Sequence, residues 1–186
     1  MRLPLAAVAD QIRVLPLGDS ITEGIGWEAG GGYRAVLREK LFAAGYDVKF
    51  VGNNNTYPGN VEGEFLHEGH GGWYLYTIHE ALAGWMSTME DPHVILLMIG
   101  TNDFGGHFDY KNILYRLSAL LDDLAVKQPS AKIIVSTLTP RTEHWDENYL
   151  KPYYNNGLPA LVAEHQAKGQ NISMIDLYNT LTRGTP

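Results

Sequence analysis

A serine in a tight turn is the first feature of this sequence that could carry chemistry. The stretch "LPLGDSITEG" places Ser20 directly after an apolar run, in a Gly-Asp-Ser turn. A serine hydroxyl becomes a nucleophile when a general base takes its proton, usually a histidine that a carboxylate orients. The same tripeptide also occurs in ordinary turns, where glycine shapes the backbone and Asp or Ser caps a helix. Ser20 is therefore a candidate nucleophile, with a capping turn as the alternative.

Two further stretches carry groups that could stabilise a negative charge. In "IGTND" an apolar run ends at Asn102, whose side-chain amide could donate to an oxyanion, although an Asx turn is the simpler interpretation. In "HEGHGGW" the pair Gly71-Gly72 precedes an aromatic residue, and a glycine can present a bare backbone N–H group. Loop glycines are also common in turns with no such role.

The elements that would position these residues alternate between strands and helices. Short apolar runs rich in β-branched residues alternate with longer amphipathic segments, a pattern typical of helices around a parallel sheet. We predict strands at Ile12–Leu17, Val48–Val51, Val94–Ile99, Ile133–Thr137 and Ile172–Leu177. The fold class predicted is α/β, a three-layer α/β/α sandwich of the flavodoxin-like type with a five-stranded parallel sheet, in a single domain over residues 1–186.

Two helices are predicted from their apolar spacing. The segment "YRAVLREKLFAAG" places Val36, Leu37, Leu41 and Ala44 on one face and ends at Gly45. The segment "NILYRLSALLDDLAVKQP" places Leu114, Leu117, Leu121 and Leu124 on one stripe before Pro129. Because ligands bind outside the carboxyl ends of the strands in such sheets, the residues that follow each strand are expected to form the site.

The three motifs together resemble the SGNH/GDSL hydrolase superfamily. "GDSITEG", the glycine in "HGGW" and "GTND" follow the family's order, and the resemblance is greatest to the carbohydrate-esterase branch that contains acetylxylan esterases. It implies that Ser20 is the nucleophile and that an oxyanion hole is formed by the Ser20 and Gly72 N–H groups and the Asn102 side chain. Gly72 is chosen over Gly71 because the family glycine lies just before the aromatic position.

The resemblance implies a serine esterase that removes short acyl groups, such as acetyl, from a carbohydrate such as acetylated xylan. A lipolytic esterase or thioesterase of the same superfamily is an alternative. A noncatalytic carbohydrate-binding remnant is a third interpretation, in which strand-end aromatic residues stack on sugars; the aromatic candidates are Trp27, Trp73, Tyr74, Tyr76 and Trp145. Core packing is the ordinary explanation of such residues.

The catalytic base of the family is the element that this sequence lacks. The family carries an Asp-x-x-His block after the fifth strand, and no such block occurs in the sequence. We expect the chain to be truncated at its C-terminus, with the last helix and the base missing, or the base to come from a partner. His70, beside the glycine pair, and His144, near Asp146 and Glu147, are candidate substitutes. His67 also flanks the glycine loop, whereas His79, His93, His107 and His165 are expected to lie at the surface or to cap elements.

Composition excludes several other classes of function. The formal charge of -7, with no basic cluster, gives no footprint for nucleic acid or anionic lipid. No apolar run approaches the roughly 20 residues that span a bilayer. The absence of cysteine excludes thiolate chemistry. We therefore expect a small-molecule or polysaccharide acyl ester as the partner, with no nucleic acid and no membrane.

No metal or organic cofactor is expected. The pattern Gly24-x-Gly26-x-x-Ala29, with Asp47 about twenty residues on, matches a dinucleotide fingerprint, but "GDSITE" separates it from the strand that the fingerprint requires. The histidines of "HEGH" do not form the H-E-x-x-H zinc motif. The opening "MRLPLAAVAD" contains Ala7-Val8-Ala9, which resembles a signal cleavage site, so an extracellular location is expected, with an ordinary N-terminal arm and a cytoplasmic location as the alternative.

Overall fold

A parallel β-sheet organises the protein. The structure is a computed structural model that describes residues 11–26, 30–56 and 65–182. The strands are β1 (Ile12–Gly18), β2 (Val48–Phe50), β3 (Glu68–Gly69), β4 (Val94–Met98), β5 (Lys132–Ser136) and β6 (Ile172–Ile175). Their order is β2-β1-β4-β5-β6, all pairs are parallel, and the short β3 pairs with the end of β1.

Helices connect the strands. They are α1 (Ser20–Glu23), α2 (Tyr33–Ala43), α3 (Leu75–Met86), α4 (Thr101–Gly105), α5 (Ile113–Lys127), α6 (Glu143–Trp145), α7 (Leu158–Ala167) and α8 (Leu177–Thr182). A 3₁₀ turn at Tyr110–Asn112 precedes α5, and a π-helical segment at Asp146–Asn155 follows α6. No helix in the described ranges is long and apolar enough to cross a bilayer.

The sheet has an apolar core on each face. Leu15, Leu17, Ile95 and Leu97 point into a large core that α3, α5 and α7 cover. The alternate residues of the same strands, such as Val14, face a smaller core that α2 covers with Leu37 and Leu41. Burial of both faces explains why these strands read as continuous apolar runs. Helices on both faces of the sheet give the three-layer α/β/α sandwich that the sequence predicts.

The predicted strands are confirmed, but the number of strands and the end of the last strand differ from the prediction. The sheet has six strands rather than five, because Glu68–Gly69 forms a further short strand. The last predicted strand ends earlier than expected, at Ile175, since Leu177 begins α8. A two-residue strand has no periodicity of its own, so only its pairing with β1 identifies it.

The buried face predicted for α5 is correct, whereas the buried face predicted for α2 is correct only in part. In α5, Leu117, Leu121 and Leu124 are buried and Leu114 packs against them, as predicted. In α2, Leu37 and Leu41 do pack on the core, but Val36 is 43% exposed and Ala44 is exposed, so half of that predicted face is wrong. The fully buried residue of α2 is Arg34, which the apolar pattern does not include. The leader-like opening, Trp27 and Ala29 lie outside the described residues.

Candidate active site

Ser20 begins a short helix at the carboxyl end of β1. The Ile21 N–H group donates to Asp19 Oδ1 at 3.0 Å, so Asp19 caps α1 directly before Ser20. A Cβ added at Gly18 would lie 2.1 Å from the Met98 carbonyl oxygen, so the turn requires glycine there. Ser20 is half-buried, and its N–H group has no acceptor within the described ranges. The turn therefore caps a helix and also leaves the serine accessible.

The strand register brings the three motifs to one edge of the sheet. Gly18, the last residue of β1, lies opposite Gly69 of β3 and Met98 of β4. Asn102, in the first turn of α4, follows β4 and donates from Nδ2 to the Trp73 carbonyl oxygen at 2.9 Å. An amide NH₂ has two hydrogens, so one remains for a ligand. Asn102 is thus attached to the loop that carries the glycine pair.

The two glycines of that loop differ in what their N–H groups do. The Gly71 N–H group donates to Glu23 Oε2 at 2.6 Å. The Gly72 N–H group has no acceptor within residues 11–26, 30–56 and 65–182, and Gly72 is exposed at φ 78°. A donor without a partner at this edge can bind an oxyanion, whereas the donor of Gly71 is already used.

Two buried carboxyl groups, those of Asp19 and Asp103, belong to the turns that carry these residues. Burial raises the pKa of Asp19 to about 6, although hydrogen bonds from the Ile21 N–H group and the Thr101 side chain favour its charged form and oppose the rise. Burial also raises the pKa of Asp103, which accepts from the Leu75 N–H group at 3.0 Å and from Arg116 Nη1 at 2.7 Å. Asp103 therefore joins the start of α3 to α4 and α5.

The His67 side chain holds the loop that leads to the glycine pair by two hydrogen bonds, and its imidazole is neutral. Its Nδ1 accepts from the Gly69 N–H group at 2.9 Å, so Nε2 carries the proton and donates to the Thr56 carbonyl oxygen at 2.9 Å. Burial, together with the nearby Arg34 charge, lowers the pKa of His67 to about 4. His67 is fully buried beside the glycine loop that it was expected to flank.

His70 is held in a stack of rings. Its Nε2 donates to the buried Glu68 Oε2 at 2.8 Å, and its ring packs against those of Trp73 and Trp85, with centroid distances of 4.2 and 4.8 Å, while the two indoles also contact each other at 5.7 Å. Glu68 also accepts from the Asn53 N–H group at 2.6 Å. These contacts fix the chain immediately before Gly71-Gly72. They give His70 a structural role in the glycine loop.

The other histidines lie in several environments. His144 is exposed on α6, and its contacts are with Asn148 and Tyr149. No hydrogen bond joins His70 or His144 to Ser20 among the described residues. His165 is fully buried and bonds to Ser118 and Gln170, so its predicted surface or capping position is wrong.

Several residues of the site had no functional assignment from sequence. Glu23 lies inside the quoted "GDSITEG" motif and holds Gly71, and its spacing from Ser20 by one helical turn is the signal that could have found it. Arg116 is an isolated cation in an amphipathic helix, and nothing in its neighbourhood in sequence points to Asp103. Gly24 and Gly26 follow α1 rather than a strand, which agrees with the rejection of a dinucleotide site.

Comparison with known proteins connects this geometry to a family. The model of the GDSL-like lipase/acylhydrolase family matches residues 17–185. A multidomain esterase of Ruminococcus flavefaciens is 35% identical over 156 residues, which are 72% of this chain and 20% of that protein. The chain thus spans about a fifth of the length of this curated relative.

Solved structures agree with that match. A family 3 carbohydrate esterase of Clostridium thermocellum superposes with a TM-score of 0.78 at 30% identity, covering 91% of this chain and 79% of that one. An acetyl esterase variant with an acetate ion superposes with a TM-score of 0.76 at 27% identity, covering 92% and 82%. The extent of the family match and the shared fold lead to one conclusion: the chain belongs to the GDSL-like lipase/acylhydrolase family.

Proposed function

We propose that this chain hydrolyses acetyl esters on a carbohydrate such as acetylated xylan. The observation that carries the proposal is the hydrogen bond from Asn102 Nδ2 to the Trp73 carbonyl oxygen, because it joins the Asn102 amide to the loop of Gly72 at the edge where Ser20 lies. The similar solved structures include a carbohydrate esterase and an acetyl esterase, which supports this class of substrate.

In the proposed mechanism a general base takes the Ser20 hydroxyl proton as Ser20 Oγ attacks the carbonyl carbon of the ester. A C–O bond forms, the carbonyl electron pair moves to oxygen, and the oxyanion accepts hydrogen bonds from the Ser20 and Gly72 N–H groups and from Asn102 Nδ2. When the intermediate collapses, the bond to the sugar oxygen breaks and that oxygen takes the proton back from the base; the base then accepts a proton from the attacking water. Water then attacks the acetyl-serine, which releases acetate and restores the hydroxyl group.

The first test measures turnover with a base supplied from solution. No Asp-x-x-His block occurs in this chain, so 4-nitrophenyl acetate hydrolysis is followed with and without imidazole, which can accept the Ser20 proton. We expect release of 4-nitrophenol beyond the reaction of imidazole alone. The Ser20→Ala chain at the same concentration provides that background. Equal rates for the two chains under both conditions would contradict the assignment of Ser20.

Acyl-chain preference separates the alternatives. If acetyl is the natural group, 4-nitrophenyl esters of longer acids should react more slowly than the acetate ester. A rate that rises with acyl length supports a lipolytic esterase, and preferred hydrolysis of an acyl thioester supports a thioesterase. Carbohydrate binding that persists in Ser20→Ala, with no turnover by the parent chain under either condition, supports a noncatalytic carbohydrate-binding protein.

We also propose that the protein acts outside the cell. A polymer such as xylan does not cross a membrane, and Ala7-Val8-Ala9 resembles a signal cleavage site. Detection of the protein in culture medium without cell lysis tests this location, and retention in washed cells would contradict it.

A further inference from the structure

An exposed group of aromatic rings borders the candidate site. Tyr76, in the first turn of α3, is 38% exposed, and Phe108, in the loop after α4, is 44% exposed. Their ring centroids lie 4.9 Å apart, and the Tyr74 ring lies 5.8 Å from Tyr76 and 5.5 Å from Phe108. We name Tyr74, Tyr76 and Phe108 the aromatic shelf. Large apolar side chains that are grouped and left in water commonly mark a binding surface.

The loop that presents Phe108 is held in an unfavourable conformation. His107 and Asp109, on either side of Phe108, have positive φ values of 53° and 42°, which are uncommon for residues with a side chain. Such strain persists where surrounding contacts enforce it, and it is concentrated at functional sites. The backbone is folded here so that Phe108 lies against the two tyrosine rings.

Arg116 makes several of the contacts that hold the Phe108 loop in this conformation. Its Nη2 donates to the Phe108 and Asp109 carbonyl oxygens at 3.1 and 3.0 Å, while its Nη1 donates to Asp103. The Phe108 N–H group donates to the Asp103 carbonyl oxygen at 2.8 Å, and the Arg116 guanidinium lies 5.4 Å from the centre of the Phe108 ring. The shelf is therefore fixed before any ligand arrives, which lowers the entropy lost on binding.

The shelf is continuous with the candidate catalytic residues. Tyr74 follows Trp73, whose carbonyl oxygen accepts the hydrogen bond from Asn102. The Tyr74 ring packs against Gly106, where an added Cβ would lie 2.4 Å from the tyrosine oxygen. A ligand whose ester lies at Ser20 and Asn102 can thus extend over the shelf.

We propose that the aromatic shelf binds pyranose rings of the carbohydrate chain that carries the ester, an inference that rests on the proposed function. The axial C–H groups of a pyranose form an apolar face that packs on aromatic rings. Its equatorial hydroxyl groups bond to polar atoms at the edge, here the tyrosine hydroxyls. The shelf is open to solvent, whereas an acyl chain requires an enclosed apolar channel.

The test measures binding and does not depend on turnover. In the Ser20→Ala background, which leaves the ester intact, the affinity for an acetylated xylo-oligosaccharide is measured by titration calorimetry before and after Phe108→Ala or Tyr76→Ala. We expect each substitution to weaken binding about tenfold, as the loss of one aromatic contact does. Tyr115→Ala, at an 80% exposed tyrosine on α5, is the matched control and should leave affinity unchanged.

The outcomes separate this inference from the proposed function. Unchanged affinity in both shelf variants, or no binding of the oligosaccharide by any chain, refutes sugar binding by the aromatic shelf even if 4-nitrophenyl acetate is hydrolysed. Weakened binding in both shelf variants, with normal thermal unfolding by circular dichroism, supports sugar binding by the aromatic shelf even if turnover is absent. In chains that keep Ser20, a shelf substitution that selectively slows hydrolysis of long-chain esters, with sugar affinity unchanged, assigns the rings to the acyl group and refutes the proposal.

Discussion

Replacing Asp19 by Asn should stabilise the protein at neutral and alkaline pH. The Asp19 side chain is fully buried, and its pKa rises from 3.8 to about 6 on folding. The folded state therefore holds this proton more tightly than the unfolded chain, so ionisation above pH 6 destabilises the fold. The rise corresponds to roughly 3 kcal/mol in the free energy of unfolding by pH 8. Asn removes the charge and keeps the Oδ1 acceptor for the Ile21 N–H group.

The size of this gain should depend on pH in a defined way. Urea unfolding of the parent and Asp19→Asn chains is compared at pH 8 and pH 5. The gain should shrink to about half at pH 5, because Asp19 of the folded parent is then largely protonated. Asp47→Asn, at an exposed aspartate, is the matched control with little expected change. A variant that is no more stable than the parent at pH 8, or a gain that does not change with pH, would refute this reasoning.

His67 should oppose Asp19 over the same pH range. Its pKa falls from 6.5 to about 4 on folding, so the unfolded chain binds the extra proton and stability is lost as pH falls from 6.5 toward 4. The two effects have opposite signs and similar size. From these groups alone, the parent should change little in stability between pH 4 and 6, and Asp19→Asn should become steadily less stable on acidification.

Three further outcomes are expected. His67→Gln should make the protein gain stability, by about 1 kcal/mol, when the pH falls from 7 to 5, because the Asp19 effect is then unopposed; urea unfolding measures this. Asn102→Ala should lower kcat for 4-nitrophenyl acetate by about 10²- to 10³-fold through loss of one oxyanion donor, with Asn171→Ala as the exposed control. Arg116→Met should lower the free energy of unfolding by about 3 kcal/mol, because Asp103 is left buried without its cation; urea unfolding at pH 8 measures this loss.

Each of these outcomes has a result that contradicts it. A flat stability profile in His67→Gln argues against the opposing pKa changes. An Asn102→Ala chain with parental kcat removes Asn102 from the oxyanion hole. An Arg116→Met chain as stable as the parent would mean that the buried Asp103 does not need the Arg116 cation.

The sequence by itself determined the sheet and the three motifs. Buried parallel strands are local apolar runs, so β1, β2, β4, β5 and β6 could be located without tertiary information. Chain order places Ser20 and Asn102 directly after strands, and the topology of a parallel sheet then brings those ends together. The missing Asp-x-x-His block is likewise a property of the sequence alone.

Only the tertiary structure decided which of these residues have partners. The strand β3 exists because β1 pairs with it, and Gly72 differs from Gly71 because Glu23, distant in sequence, takes one N–H group and leaves the other free. The burial of His67 and the strained loop at Phe108 likewise depend on contacts between residues far apart in the chain. Local patterns specify elements because backbone conformation and burial repeat with the period of the strand or helix. Pairing, burial of charge and strain depend on residues that folding alone brings into contact.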